Sequence, residues 1–140
     1  MKLKIHPGIG TIVICDFSGL NEPEMTKRRL AVVVAPFIRV RPNLATIVPF
    51  STTAPLPPRE FNCTIQIDPP LPAPYDSPLQ WVKADMIYNV ALHRLSFPMD
   101  GKIDGKRNYD IRKLSDDELV KVQKCMLHGL GLAHLTKHLQ

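Results

Sequence analysis

The sequence predicts an α+β domain that is mainly β, in which several short strands are closed by one C-terminal helix. Three apolar runs of strand length, in residues 9–17, 30–35 and 44–50, are rich in β-branched residues. After Ser115 the pattern changes, because apolar residues recur there at helical spacing. With 140 residues, 44% of them apolar, the chain can bury one hydrophobic core, and we interpret residues 1–140 as a single domain.

The first two predicted strands, "IGTIVICDF" and "LAVVVA", are joined by a loop rich in charged and turn-forming residues. Gly19, Asn21 and Pro23 are turn formers, so we expect a long loop between antiparallel neighbours. The third strand, "LATIVPF", has Pro49 near its end, where a missing N–H does least harm to strand pairing. A Ser-Thr-Thr sequence follows it directly.

The middle of the chain combines stiff connections with an alternating strand. Residues 54–78 contain 8 of the 14 prolines, and between the proline clusters "FNCTIQI" alternates apolar and polar side chains. We interpret the prolines as rigid loop spacers rather than as ligands for aromatic grooves. Residues 81–92 fit a helix or a strand by periodicity, and their Val, Ile, Tyr and Trp content favours a strand.

The C-terminal helix has the clearest signal. Ser115 opens "SDDE", a capping box with Glu118 at the third helical position. Gly129 and Gly131 should loosen the end of the helix, and the last nine residues should form an extra turn or a frayed tail.

Charge and cysteine content restrict the classes of function. Lysine and arginine number 18 against 13 acidic residues, which gives a net charge of +5 and is compatible with nucleic acid as a partner. The three cysteines are far apart and lack CxxC spacing, so we expect no disulfide framework, no zinc site and a cytoplasmic location.

The sequence has no apolar run of signal-peptide or membrane-spanning length, and we expect no membrane partner. His134 and His138 have helical spacing for a metal, but without a third ligand nearby we expect solvated histidines.

Five segments of the sequence follow one another in an order that is typical of a known family. They are "GTIVICDF", a loop with glycine and acids, "KRRLAVVV", "TIVPFSTT" and "LSDDELVKVQKCMLHGLGL". Over nearly its whole length the chain resembles the MazF/PemK toxins of bacterial type II toxin–antitoxin systems. The resemblance implies an SH3-like small β-barrel (MazF/PemK/CcdB-like) with a C-terminal helix, assembled as a homodimer. It also implies a metal-independent endoribonuclease without a cofactor, which cleaves single-stranded RNA, usually mRNA, through a 2′,3′-cyclic phosphate and so inhibits translation and growth.

The resemblance also assigns candidate site residues. The family's key arginine falls on Arg29, its key threonine on Thr52, and its first-loop acid on Glu22 or Glu24. Transesterification of RNA needs an acceptor for the 2′-proton and positive charge around the phosphorane. Arg29 offers a planar fork of donors, Thr52 a hydroxyl, and a glutamate kept ionised by a neighbouring arginine would accept the proton. Further substrate contacts are expected from Ser51, Arg28, Lys27 and Thr53, and additional phosphate contacts from Arg39 and Arg41.

Leu30 stands where the family usually has proline, which restores a backbone N–H beside Arg29. The partners implied are a cognate antitoxin, acidic and partly disordered, and promoter DNA bound only by the toxin–antitoxin complex.

Two alternative functions stay open. One is a CcdB-like, non-enzymatic poison of DNA gyrase that acts through its C-terminal helix, and the other is a catalytically inactive binding module of the same fold. The charge pair Glu22/Arg29 and Thr52 favour the nuclease, because a gyrase-binding protein does not need donors at the strand ends.

Overall fold

The computed structural model describes residues 1–139, which form nine strands, one α-helix and two short 3-10 helices. The strands are β1 (Ile12–Cys15), β2 (Arg29–Val33), β3 (Leu44–Ser51), β4 (Asn62–Gln66), β5 (Leu79–Lys83), β6 (Tyr88–Ala91), β7 (Leu95–Ser96), β8 (Met99–Ile103) and β9 (Lys106–Tyr109). The α-helix α1 spans Asp116–Gly129, and the 3-10 helices span Leu92–Arg94 and Ala133–His138. No helix within these 139 residues has the length and apolar character needed to cross a membrane.

Seven of these strands form an antiparallel sheet organised around β3. One side of β3 pairs with β2, and the other side pairs first with β6 over residues 44–47 and then with β5 at Phe50 and Ser51. Pro49 lies where β3 changes partner, so its missing N–H faces no registered strand on that side. β1 continues the sheet beyond β2, and β4 continues it beyond β5. β8 and β9 form a separate hairpin.

Strands β1, β2 and β3 are mostly apolar because both of their faces are buried. Residues that alternate along each strand belong to two different core clusters. The first cluster, which also contains Val122 and Cys125 of α1, takes Ile12, Ile14, Leu30, Val32, Val48 and Phe50. The second cluster takes Val13, Cys15, Ala31, Val33, Ala45 and Ile47. A strand covered on both sides does not need polar residues at alternate positions.

The main elements predicted from the sequence are confirmed, and with them the α+β, mainly β fold class. The strand within "FNCTIQI" is β4, and β1 and β2 are antiparallel neighbours. The capping box is complete, because the Ser115 Oγ accepts from the Glu118 N–H at 3.2 Å and the Glu118 Oε1 accepts from the Ser115 N–H at 2.9 Å.

The prediction of one strand over residues 81–92 is wrong. A turn separates β5 from β6, and in it the Met86 N–H donates to the Lys83 carbonyl at 3.1 Å. No glycine or proline marks this turn in the sequence, so its residues have the composition of a continuous strand. The predicted C-terminal tail contains the 3-10 helix Ala133–His138, and its last residue, Gln140, lies outside the described residues.

Candidate active site

Arg29 and Ser51 lie opposite each other at one end of the β2–β3 hairpin. The antiparallel register pairs Ala31 with Pro49, and continuing it by two residues sets Arg29 across from Ser51. Around them is a cleft of about 120 Å³. Its lining residues are Arg28, Arg29, Leu30, Phe50, Ser51, Thr52, Pro74, Tyr75 and Gln80. The structure therefore brings four of the predicted site residues together, namely Arg28, Arg29, Ser51 and Thr52.

Arg29 is half-buried, and its Nε is a buried donor without an acceptor among residues 1–139. A guanidinium stays protonated at physiological pH, and a buried donor left unpaired costs about 1 to 3 kcal/mol, more when the group is charged. Packing gives no reason to retain such a donor, because an apolar side chain of similar size would avoid the cost. An anionic oxygen in the cleft would supply the missing acceptor.

Ser51 and Thr52 carry the two hydroxyl groups of the cleft. The Ser51 side chain is buried, and its Oγ accepts from the Thr53 backbone N–H at 3.2 Å, which leaves its own O–H free to donate. This contact turns the chain as it leaves β3. Thr52 is exposed and makes no side-chain hydrogen bond within the described part of the chain. Both hydroxyls can therefore donate to an oxygen beside Arg29.

Arg28 pairs with Asp16, an acid that the sequence analysis did not consider. The Arg28 Nη2 lies 3.5 Å from the Asp16 Oδ2, and the Ser18 N–H donates to the Asp16 Oδ1 at 2.9 Å. The Ser18 hydrogen bonds, and after them the charge of Arg28, hold the pKa of Asp16 below its usual value. Asp16 is thus an ionised carboxylate that contacts Arg28, and Arg28 in turn lines the cleft. Because Cys15 pairs with Arg29, the register of β1 and β2 places Asp16 across from Arg28.

Arg94 holds the start of the first loop in place. Its Nη1 donates to the backbone carbonyls of Asp16 at 2.9 Å and Ser18 at 2.7 Å. A cavity of about 320 Å³ contains Arg94, Asp16 and Arg28, so Arg28 borders this cavity as well as the cleft.

Glu22 and Glu24 lie in the first loop and do not line the cleft. Glu24 belongs to a turn in which its Oε1 accepts from the Asn21 N–H at 3.3 Å, and Glu22 is exposed. The ion pairs found within residues 1–139 are Arg28 with Asp16, Arg112 with Asp110, and His128 with Glu60. The expected contact between a first-loop glutamate and an arginine is therefore made by Asp16 instead, because its register position places it beside Arg28.

The other predicted substrate contacts are more distant from Arg29. Lys27 and Thr53 are exposed and do not line the cleft. Arg39 and Arg41 lie in the connection from the end of β2 to the start of β3, at the opposite end of the hairpin. Arg41 lines a different cavity there, and the expectation that these two arginines make additional phosphate contacts stays a prediction.

Sequence analysis also missed the contribution of the proline-rich segment, residues 68–78, to the cleft. Pro74 and Tyr75 of this segment line the cleft together with Gln80 of β5. Gln80 is buried, and its Nε2 donates to the Ser77 carbonyl at 3.0 Å. Burial raises the pKa of Tyr75, and the nearby charge of Arg28 acts in the opposite direction. The single aromatic residue among the prolines was the available signal.

The described residues contain no group of three or more His, Cys, Asp or Glu side chains arranged for a metal ion. His134 and His138 are exposed on the 3-10 helix. With three residues per turn, a spacing of four does not place two side chains on one face of such a helix.

Comparisons with known proteins agree with this architecture. The chain is 27% identical over 148 residues to an uncharacterized protein of Haemophilus influenzae, which covers 96% of this chain and 98% of that protein. Its fold is similar to that of MazF from Deinococcus radiodurans, with a TM-score of 0.61, 20% identity and coverage of 92% of this chain and 99% of that chain. It is also similar to an endoribonuclease from a Mycobacterial species, solved in complex with its cognate antitoxin, with a TM-score of 0.60, 16% identity and coverage of 91% and 97%.

At these identities the structural likenesses show the fold, and the predicted MazF-like architecture is confirmed. The model of the family described as "PemK-like, MazF-like toxin of type II toxin-antitoxin system" matches residues 9–128. This match includes strands β1 to β9 and nearly all of α1. The chain therefore belongs to the PemK-like, MazF-like family of toxins of type II toxin–antitoxin systems.

Proposed function

We propose that the protein is a toxin that acts as a metal-independent endoribonuclease on single-stranded RNA and so inhibits translation and growth. The observation that carries the proposal is that Arg29, whose Nε is buried and unpaired within residues 1–139, lines a cleft together with the hydroxyl-bearing residues Ser51 and Thr52. A guanidinium and two hydroxyl groups around one small cleft suit a phosphate group. The structural neighbour from a Mycobacterial species, described as an endoribonuclease, supports the same reaction class.

In the proposed reaction the ribose 2′-oxygen attacks the adjacent phosphorus. The bond from phosphorus to the 5′-oxygen breaks, which leaves a 2′,3′-cyclic phosphate and a 5′-hydroxyl. Arg29 stabilises the negative charge that grows on the phosphorane oxygens, because donors placed in advance around a developing charge lower the barrier. A guanidinium holds its proton too tightly to be a good proton carrier, so we assign Arg29 to charge stabilisation. Thr52 and Ser51 position the phosphate by donating to its oxygens.

The proton acceptor belongs to the first loop. Glu22 and Glu24 are the acids that the family resemblance indicates, and Asp16 is the ionised acid that lies closest in register to Arg29. Replacing each acid by its amide separates these candidates, because only loss of the true acceptor lowers the cleavage rate while RNA binding is retained. We expect Asp16→Asn to give the largest loss of the three. An unchanged rate in that variant, with a loss in Glu22→Gln or Glu24→Gln, would assign the role to the glutamate.

The proposed partners are single-stranded RNA, a second copy of this chain, and a cognate antitoxin. The structural neighbour solved with its antitoxin supports the last of these. The net charge of +5 suits an acidic, partly disordered antitoxin segment that covers the basic cleft. Promoter DNA would be bound only by the toxin–antitoxin complex.

Incubation of the purified protein with mixed-sequence RNA in EDTA, followed by mapping of the new ends, tests the reaction. We expect cyclic-phosphate ends from the unmodified protein, and their loss in Arg29→Ala and Thr52→Ala. Arg59→Ala is the matched control, because it removes an exposed arginine that does not line the cleft. RNA that stays intact, together with inhibition of DNA gyrase, would instead favour the non-enzymatic CcdB-like activity.

A further inference from the structure

A second cavity, of about 390 Å³, adjoins the cleft that contains Arg29. It has three aromatic side chains in its lining, those of Tyr75, Phe97 and Tyr109. The cleft and this cavity share Arg28, Pro74 and Tyr75. The two are therefore neighbouring parts of one groove, with Arg28 and Tyr75 at the junction.

The three aromatic rings are held by three different elements. Tyr75 lies in the proline-rich segment, where its N–H donates to the Pro72 carbonyl at 3.0 Å and its ring packs against the first core cluster. Phe97 precedes β8 and packs against the second core cluster. Tyr109 is the last residue of β9 and is paired with Met99 of β8. Each ring is thus positioned by surroundings that do not depend on the other two.

These rings have surface available for a ligand. Each of the three is only partly buried. The aromatic pairs that are in contact within residues 1–139 are His6 with Phe37 and Phe17 with Tyr88. The rings of the cavity are therefore not stacked on one another, and their faces can receive a flat group.

The polar groups of the cavity also suit a base. The hydroxyls of Tyr75 and Tyr109 can both donate and accept hydrogen bonds. The Arg28 side chain is 62% exposed and can reach a phosphate between the two parts of the groove. Sites that read single-stranded RNA commonly hold unstacked bases on aromatic rings and bind the backbone with basic residues.

We propose that this aromatic cavity binds an unstacked base of the RNA next to the cleaved phosphate, and so contributes to the choice of cleavage sequence. The inference rests on the proposed nuclease function. A nucleic-acid base is favoured over a protein side chain as the occupant because the cavity continues directly from a cleft equipped for a phosphate.

Binding of a non-cleavable oligonucleotide tests this directly. The probe is a single-stranded 2′-deoxy oligonucleotide of mixed sequence that contains 2-aminopurine, whose fluorescence falls when it stacks on an aromatic ring. We expect quenching by the unmodified protein, and a loss of affinity of about tenfold in Tyr75→Ala and Tyr109→Ala. Tyr75→Phe keeps the ring and should retain the quenching. Phe37→Ala is the matched control, because it removes an exposed aromatic side chain outside the groove.

A substitution that fills the cavity tests the same inference without removing a packed side chain, so the protein should still fold. Met99 is 49% exposed and lines the cavity, so Met99→Trp should occupy the space for the base without removing core packing. It should also weaken binding about tenfold. Affinities in Tyr75→Ala, Tyr109→Ala and Met99→Trp that equal that of the unmodified protein would overturn the inference, as would an unquenched probe on the unmodified protein.

Cleavage mapping separates this inference from the proposed function. If Arg29→Ala abolishes cleavage while the aromatic variants bind and cut the same sites at the same rates as the unmodified protein, the nuclease stands and the base cavity is wrong. If the probe is quenched through Tyr75 but no RNA is cut, the cavity binds a base and the nuclease proposal is wrong. If Tyr75→Ala weakens binding of the antitoxin but leaves the affinity for the probe unchanged, the cavity is an antitoxin contact instead.

Discussion

Arg28 and Asp16 form an ion pair one residue beyond the last paired positions of β1 and β2, Cys15 and Arg29, with the Nη2 of Arg28 3.5 Å from the Oδ2 of Asp16. The pair positions the Arg28 guanidinium where three cavities meet. The strand register thus determines which side chains surround the neighbouring Arg29. Two predictions about this region, and two about residues of helix α1, can be tested.

Replacing Arg29 by Met should abolish RNA cleavage without destabilising the fold. The substitution removes a buried donor that has no acceptor within residues 1–139, so the free energy of unfolding should stay the same or rise by up to about 2 kcal/mol. Arg94→Met is the matched control, in which the free energy of unfolding should fall instead. Arg94 donates to two loop carbonyls, and losing these hydrogen bonds should lower that free energy by about 1 to 3 kcal/mol. Urea unfolding measures both. A loss in Arg29→Met as large as that in Arg94→Met would identify Arg29 as a structural residue.

The Asp16 carboxylate should stabilise the fold at neutral pH but not in strong acid. Its pKa in the folded protein is lowered, first by the Ser18 hydrogen bonds, so its contribution is complete above the unfolded pKa of about 3.9 and is lost as the pH falls through the lower folded value. We expect Asp16→Asn to be less stable than the unmodified protein at pH 7, and the difference to shrink towards pH 2. Asp100→Asn, at an exposed position of β8, is the control. A stability difference that does not change with pH would contradict this account.

Cys125 should be the first of the three cysteines to react with a thiolate-selective alkylating reagent. The interaction between the neighbouring Cys63 and Cys125 thiols raises the pKa of Cys63 and lowers that of Cys125, while burial raises the pKa of Cys15 to about 12. Cys63 and Cys125 are 9% and 8% exposed, so access hardly distinguishes them. Mass spectrometry of peptides after brief alkylation at pH 8 measures the order. Protein unfolded in urea provides the control, in which all three should react at similar rates, and faster labelling of Cys63 in the folded protein would contradict this order of pKa values.

Gly129→Ala should destabilise the protein although Ala favours helices. A Cβ at this position would lie 2.9 Å from the Asp85 Cα and 3.1 Å from the Asp85 Cβ, in the turn between β5 and β6. The gain in helix propensity is about 1 kcal/mol, and forcing α1 away from backbone atoms should cost about 1 to 3 kcal/mol. Urea unfolding should therefore show a net loss, whereas Lys124→Ala, at an exposed position of the same helix, should change little. An increase in stability in Gly129→Ala would mean that the turn yields to the added methyl group.

The sequence allowed the apolar strands and the capped helix to be predicted because each has a strong local pattern. Arg29, Ser51 and Thr52 could be placed together because they flank two such strands. The β8–β9 hairpin was missed, although Asp104 and Gly105, both with positive φ, form the two-residue turn that an Asp-Gly sequence favours. Its strands are exposed and lack the alternating apolar residues that would have marked them.

The side chains that complete the groove could not be predicted because they come from distant parts of the chain. Tyr75 reaches the cleft only because β5 pairs with the end of β3. Asp16 was overlooked because the family resemblance directed attention to the glutamates of the first loop. Both residues depend on strand register and pairing, which a reading of local composition does not provide.

The proline-rich segment has a consequence for the evolution of the protein. The cleft residues Arg29 and Ser51 belong to strands that are buried on both faces, where most substitutions disturb the core. Tyr75 belongs instead to a connection between β4 and β5, in which most side chains outside Leu71 are not buried. On the proposed function, mutations in residues 68–78 would alter which RNA is recognised while Arg29, Ser51 and Thr52 stay unchanged, so new cleavage preferences would arise without loss of the fold.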